Sequence, residues 1–223
     1  MIENLEVLNI DGALRGMRNP LKSWDKSDSN WEQRVIQGVS GPTIYAIGDN
    51  DAKLANRLIR AGSDHRKFLR QILVSMDITG SMSFWWDIDT YCVGVAKNST
   101  SRMHSIFSND FEFRPKDFNW ELPLSTWRMD ALEHYNNLLM RLQFNLMQNG
   151  SVYNNDDVTC ELFEELINDL PQGQLFKRTW TGNFEVLLKI YKARKNHKQK
   201  EIRDFCKELK EKVAYTDKIK IFE

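Results

Sequence analysis

The sequence predicts a mixed α/β (α+β) fold that is helix-rich in its C-terminal half, and three patterns carry that reading. Ile72, Val74, Met76 and Ile78 alternate with Leu73, Ser75 and Asp77, the period of a strand with one apolar face. Ala131, Tyr135, Leu138, Leu139, Leu142 and Leu146 recur instead at helical spacing, as do Phe184, Leu187, Leu188 and Tyr191. No internal repeat, low-complexity tract or linker interrupts the 223 residues, so a single domain over 1–223 is expected.

Taken in order, Leu5 to Ile10 reads as a short first strand, and Asp11 caps a helix through Leu14 and Met17. Residues 19–50 are rich in Asn, Ser, Asp, Gly and Pro, which predicts an irregular excursion. Asn50 or Asp51 caps a helix whose Leu54, Leu58 and Ala61 share a face, with Gly62 as its stop. The 72–78 strand follows and Thr79-Gly80-Ser81 breaks it, leading to an aromatic segment with Trp85 and Trp86. A long amphipathic helix spans 128–148, ended by Asn149-Gly150-Ser151. Val158 to Asn168 forms another, halted before Pro171. The stripe Phe184–Tyr191 and the stripe Ile202, Phe205, Cys206, Leu209 and Val213 make the last two helices.

Bulk composition excludes several classes. Lysine plus arginine and aspartate plus glutamate are balanced at 31 each, so no global field favours nucleic acid or an anionic membrane. No apolar run reaches the ~18 residues needed to cross a bilayer. The first residues, MIENLEVLNIDG, lack a signal pattern, so export is not expected. Cys92, Cys160 and Cys206 have no metal-ligand spacing and fit reduced thiols in a cytoplasmic protein. Phosphate-binding loops, dinucleotide fingerprints, zinc motifs and nucleophile elbows are all missing.

The most informative stretch is Leu170 to Arg203, which sets out Trp180, Asn183, Arg194, Gln199, Glu201 and Arg203. It resembles the C-terminal active-site segment of the flavin-dependent thymidylate synthases. In that family a Leu-Pro pair leads to a W-T-x-N turn, an arginine-bearing helix follows, and an A-Q-x-E-I-R element opens the next helix. Asn183 and Arg194 stand eleven positions apart, as in the family. The order of elements from the first strand onward is similar as well.

Elsewhere the chain departs from the family's pattern. Aligned on Asn98 and Ser101, the signature arginine-histidine-arginine triplet falls on Tyr91, Cys92 and Val93. The glutamate after the asparagine becomes Ser99, and the last signature arginine becomes Met103, beside Arg102. A glycine-histidine-glutamate turn becomes Gly62-Ser63-Asp64, with His65 shifted. Family arginines also become Ile167 and Glu185, and one residue is missing between Arg194 and Gln199. Versions without the signature resemble those of phage and prophage genomes.

The resemblance implies a homotetrameric flavoprotein that turns dUMP into dTMP. Reduced FAD would deliver hydride, methylene-tetrahydrofolate the one-carbon unit, and NADPH the reducing equivalents. Arg194 is then the catalytic residue, stabilising charge on the pyrimidine; it reads equally as a last-turn cation on the helix dipole. Asn183 and His65 are the cofactor-binding candidates, Asn183 doubling as an N-cap. Ser101 and Arg102, with Arg194, are the substrate-binding candidates: hydroxyl, amide and guanidinium donors suit a nucleotide phosphate, and equally an ordinary polar loop. Gln199, Glu201 and Arg203 read as a cap and polar network, and His197 as a solvated loop residue. His104, His134, Trp85 and Trp86 read as structural. A second class of function is a non-catalytic homologue that keeps the scaffold and binds or sequesters a nucleotide or a host protein.

Overall fold

The structure, a computed structural model, describes residues 1–36, 39–106, 108, 111–149 and 157–223. It divides into two compact units: Met1–Ile78, Ile88–Asn98 and Arg178–Glu223, and then Thr79–Asp87 with Ser99–Lys177. The chain is mixed α/β, as the sequence predicts.

The first unit is built on a sheet. Strand β1 (Ile2–Leu8) pairs antiparallel with β4 (Leu73–Ser81), Ile2 facing Ile78 and Val7 facing Val74. Strand β6 (Leu175–Asn183) lies next to β4, and β5 (Ala96–Ser99) forms the far edge, giving the order β1-β4-β6-β5. Ser75 bonds Thr181 at 3.2 Å and the Thr179 hydroxyl donates to Asp77 at 2.6 Å, so β4 and β6 run antiparallel. Val74, Met76 and Ile78 are buried, as their alternation predicts. Among its described residues this unit carries α1 (Ile10–Arg18), α2 (Asp49–Arg60), α7 (Phe184–Arg194) and α8 (Lys200–Lys212). Phe184, Leu187, Leu188, Ile202, Phe205, Cys206 and Leu209 from the last two fill its core.

Four local expectations are corrected here. The first strand begins and ends earlier than 5–10, because pairing with β4 sets its limits and Ile10 turns inward as the buried start of α1. Asn9, in the left-handed region at φ 59°, occupies the N-cap of α1, and Asp11 lies in its first turn. Residues 19–50 are not irregular throughout: β2 (Asn30–Ile36) and β3 (Val39–Ala46) form an antiparallel pair, with Trp31 edge-on to Tyr45 across it. The W-T-x-N segment is the end of strand β6 rather than a turn, with Phe176 and Trp180, four apart and so on one face, both buried.

Helix α2 is capped from a distance. Gly48 holds its N-cap position without a side chain, so neither Asn50 nor Asp51 caps it. The Asp28 carboxylate accepts from the Asn50 and Asp51 amides at 2.9 and 3.1 Å instead. Gly62 ends the helix at φ 105°, as expected. Slight desolvation pushes the exposed Asp28 carboxyl up, but bonds from the Asn50, Asp51 and Asp28 amides and the Arg18 charge outweigh it, and the net shift is downward. A lowered carboxyl stabilises above the ordinary aspartate pKa of about 3.9 and loses that stabilisation as pH falls through its folded value. Asp28→Ala is therefore expected to cost about 1 kcal/mol near neutral pH. Urea titrations repeated at decreasing pH should show the gap from the wild-type closing below the ordinary aspartate range.

The second unit is a helical layer. Helix α5 (Thr126–Asn149) packs on α6 (Asp157–Asp169), with the short α3 (Met82–Ile88) and α4 (Arg102–Ile106) in the same unit. Tyr135, Leu138, Leu139 and Leu142 of the predicted stripe meet Leu162, Leu166, Phe113 and Phe118 in one cluster. Thr79-Gly80-Ser81 does not break β4: Gly80 stays in the strand because the Phe84 ring lies where a Cβ would stand. The stop at Gly150-Ser151 lies outside the described residues.

Candidate functional site

Helix α7 carries the two residues that the sequence singles out most strongly. Asn183 ends β6 and opens the helix, its Oδ1 accepting the Val186 amide at 3.1 Å. That bond satisfies one of the unpaired amides of the first turn and leaves the side-chain NH₂ as a donor. Gly94, at φ 74°, brings the 91–95 loop beside this NH₂; a Cβ there would lie 3.4 Å from it. Arg194 is the last residue of the helix, and its guanidinium lies 5.5 Å from the centre of the Tyr91 ring. Its carbonyl accepts the His197 amide at 2.9 Å.

The two readings of Arg194 therefore meet in one geometry. It is a last-turn cation, and it is also held against the loop where the signature triplet aligns. Tyr91 is half-buried by this stacking, Cys92 is exposed, and Val93 is 86% exposed. Sequence reasoning treated Tyr91 only as a lost arginine and missed it as a partner of Arg194. The cue was the aromatic residue itself, since a guanidinium face stacks well on one.

Arg194 also acts on Cys206 in α8. Burial pushes this thiol up to about 11, against an opposing pull from the Arg194 charge. Cys92 and Cys160 are exposed. Iodoacetamide at mildly alkaline pH should consequently modify two thiols of the folded protein quickly and leave Cys206 intact until denaturant is added. Rapid loss of all three under native conditions would contradict this burial.

The element after Arg194 is structural. The Arg203 guanidinium donates to the His197 and Lys198 carbonyls, both at 2.7 Å, and His197 Nδ1 accepts the Gln199 amide at 3.2 Å. His197 is thus part of the turn between helices rather than solvated and unattached. Gln199 is the N-cap residue of α8 without a side-chain capping bond, and Glu201 is buried.

His65 lies exposed in the turn after α2 and lines a cavity of about 1030 Å³ with residues of α1 and α2. Its neighbour Arg66 makes a two-pronged pair with Glu185 in the first turn of α7, at 2.8 and 3.0 Å. In the family pattern an arginine stands at 185; here the acid stands on the helix and the arginine, Arg66, two residues beyond Asp64. Glu185, noted as a departure, was the signal for this pair, and reading it without Arg66 hid it.

Ser101 and Arg102 lie in the other unit. The Ser101 hydroxyl oxygen accepts the His104 amide at 3.3 Å, so its own O–H remains a donor. Arg102 stacks over Phe176 at 4.9 Å, and burial alone lowers its guanidinium from the ordinary value. A small cavity of about 90 Å³ adjoins Ser101, Arg102, Ser105 and Gln174. Trp85 is fully buried, donating to the Phe176 carbonyl at 3.2 Å, while Trp86 is exposed. His134 pairs with Asp169 at 2.8 Å, and Ile167, where the family has an arginine, packs at the rim of the apolar cluster. Among the described residues no group of three His, Cys, Asp or Glu could hold a metal ion, and no helix is long and apolar enough to cross a membrane.

No family model matches the sequence, and no curated protein does. Solved structures do match. Two of the flavin-dependent thymidylate synthase ThyX from Helicobacter pylori, each with FAD and dUMP, superpose with TM-scores of 0.66 and 0.65. They are 16% and 15% identical in sequence, and each alignment covers 99% of this chain and 98% of the other. At that identity the likeness establishes a ThyX-like fold along the whole chain.

Proposed function

We propose that this chain is a flavin-dependent thymidylate synthase-like protein that acts on a pyrimidine deoxynucleotide, converting dUMP to dTMP. The observation that carries the reading is the capped helix α7, which delivers Asn183 and Arg194 at the family's spacing on a fold shared end to end with FAD- and dUMP-bound synthases.

Each residue has a task in this reading. The Ser101 O–H and the edge donors of Arg102, whose face is occupied by Phe176, hold the nucleotide phosphate. Arg194 stabilises negative charge that develops on the pyrimidine ring. Asn183 presents its NH₂ toward the flavin or base. Homotetramer formation and a cytoplasmic setting complete the proposal. Met140, Phe144 and Met147 support self-association, being exposed on one face of α5.

A flavin dinucleotide needs cations for its pyrophosphate and an apolar wall for its ring. Tyr91, Cys92 and Val93 supply no cation, but the cavity at His65 has both, with Lys53 and Arg57 at its edge and Phe68 within it. The residues present fit the group there. When bound, reduced FAD supplies hydride, with methylene-tetrahydrofolate giving the carbon and NADPH restoring the flavin.

The test is dTMP formation from dUMP with FAD, NADPH and methylene-tetrahydrofolate supplied, followed by chromatography. Arg194→Ala should lower turnover by about 100-fold or more. Absence of dTMP from the intact protein would overturn the catalytic reading. The uncharged 91–93 loop, exposed at Cys92 and Val93, favours one second reading, a non-catalytic homologue that binds or sequesters a nucleotide or a host protein. Calorimetric binding of dUMP by a protein that retains no flavin absorption after desalting would identify it.

A further inference from the structure

We propose that the cavity framed by α1, α2 and the 64–71 segment binds an organic polyanion with a flat or apolar body, its charge read by Lys26, Lys53, Arg57 and Lys67. None of these four residues enters the sequence resemblance; the inference rests on the flavin placement offered above for Lys53 and Arg57, and widens it to the ligand class the whole cavity selects. The cavity measures about 1030 Å³, at the top of the roughly 300–1,000 Å³ range of small-molecule sites.

Its charge is one-sided. Four cations line it from three separate segments, against one lining carboxylate, Asp64. The remaining lining cation, Arg18, is already neutralised by Asp51 at 2.6 Å. Lys26, Lys53, Arg57 and Lys67 make no ion pair among the described residues, in a chain whose formal net charge is zero. Lys53 and Arg57 stand one turn apart on α2, where like charges repel, and a bound anion relieves that repulsion.

The interior of the cavity is apolar. Met17 and Phe68 are buried, and Leu54 and Leu58, interleaved with Lys53 and Arg57, are half-buried. Ser23, Asn50 and Gln71 add hydrogen-bonding groups at the wall. A surface of this kind rejects a bare inorganic anion as its best ligand, because the apolar floor stays wet. It equally rejects an uncharged ring, because the cations stay unpaired. A nucleoside diphosphate or a flavin dinucleotide satisfies both halves.

Calorimetry on the full-length chain with ADP as the probe tests this, with adenosine and tripolyphosphate as its two halves. ADP should bind, with affinity falling as salt is raised, and each half should bind at least about tenfold more weakly. The double variant Lys53→Glu with Arg57→Glu should weaken ADP by about tenfold or more without lowering the melting temperature, since both side chains are exposed. Lys26→Glu, from another segment, should weaken it as well. Competition then separates the sources: FAD displacing ADP assigns the cavity to a flavin dinucleotide, and its failure to displace assigns a free nucleotide. No ADP binding, or equal binding by the folded double variant, would overturn the proposal. Its failure withdraws the flavin placement in this cavity and leaves the tasks of Arg194, Ser101 and Arg102 to the dUMP turnover assay; failed dUMP turnover leaves ADP binding here unaffected, so the two failures are distinguishable.

Discussion

Asp51→Ala should destabilise the protein by about 3–5 kcal/mol, the usual result of deleting one partner of a buried ion pair. Asp51 is fully buried at 0% exposure, and Arg18 is buried beside it. One carboxylate oxygen takes Arg18 Nε at 2.6 Å, and the other takes the Ser27 and Ser29 hydroxyls, each at 2.6 Å. Arg18 also donates to the Ser23 carbonyl at 3.1 Å. Removing the acid strands a buried guanidinium and frees two hydroxyls that anchor the 23–29 segment. Urea denaturation measures the loss, and melting should fall by roughly 2–4 °C for each kcal/mol in a chain of this size. Arg18→Met combined with Asp51→Leu should recover much of it, because an apolar pair removes the stranded charge. A loss below about 1 kcal/mol for the single variant would show that the pair is solvated in the native state.

The second large effect belongs to Glu185. It is 3% exposed and grips Arg66 with both oxygens. Glu185→Ala should cost about 3 kcal/mol, since Arg66 is mostly buried and Lys189, at 3.8 Å from the acid, also loses a partner. Arg66→Glu or Glu185→Arg alone places like charges together and should be worse than the alanine. The double reversal rebuilds the pair with its arginine at 185, where the family pattern has one. A double-mutant cycle should therefore return a coupling above about 1 kcal/mol. Near-additive losses would mean that the two side chains act separately. The pair joins the turn that bears His65 to the helix that bears Arg194, so activity of any kind should follow its stability.

The sequence reading succeeded where one period dominated a long segment. α5, α7 and α8 each show a helical stripe whose central residues are buried, among them Leu138, Leu139 and Leu142, Phe184, Leu187 and Leu188, and Ile202, Phe205, Cys206 and Leu209, although α7 also buries Val186 and Ile190 outside its stripe. It failed where short-range signals opposed long-range pairing. Gly41 and Pro42 argue against a strand, yet β2 and β3 form a two-stranded sheet in which both strands are edges. The two residues sit where the register slips between Gln33↔Thr43 and Val35↔Ser40. β6 was masked by Lys177 and Arg178, although Phe176 and Trp180 keep its period-two burial. In the site, Asn183 as a cap and Arg194 as a helix-end cation were both legible. The partners Tyr91, Phe176 and Arg66 were not, because each contact joins residues far apart in sequence.

The distant cap on α2 makes that helix a dependent element. Asn50 and Asp51 donate to Asp28, twenty-two and twenty-three positions away, so the first turn of the helix holds only while the 23–29 segment stays docked. Opening of that segment should expose both amides at once, giving matched hydrogen-exchange rates across two stretches that are remote in sequence. Lys53 and Arg57 would shift with the turn that frays. The same docking contact that completes a helix thereby sets how often the mouth of the His65 cavity changes shape.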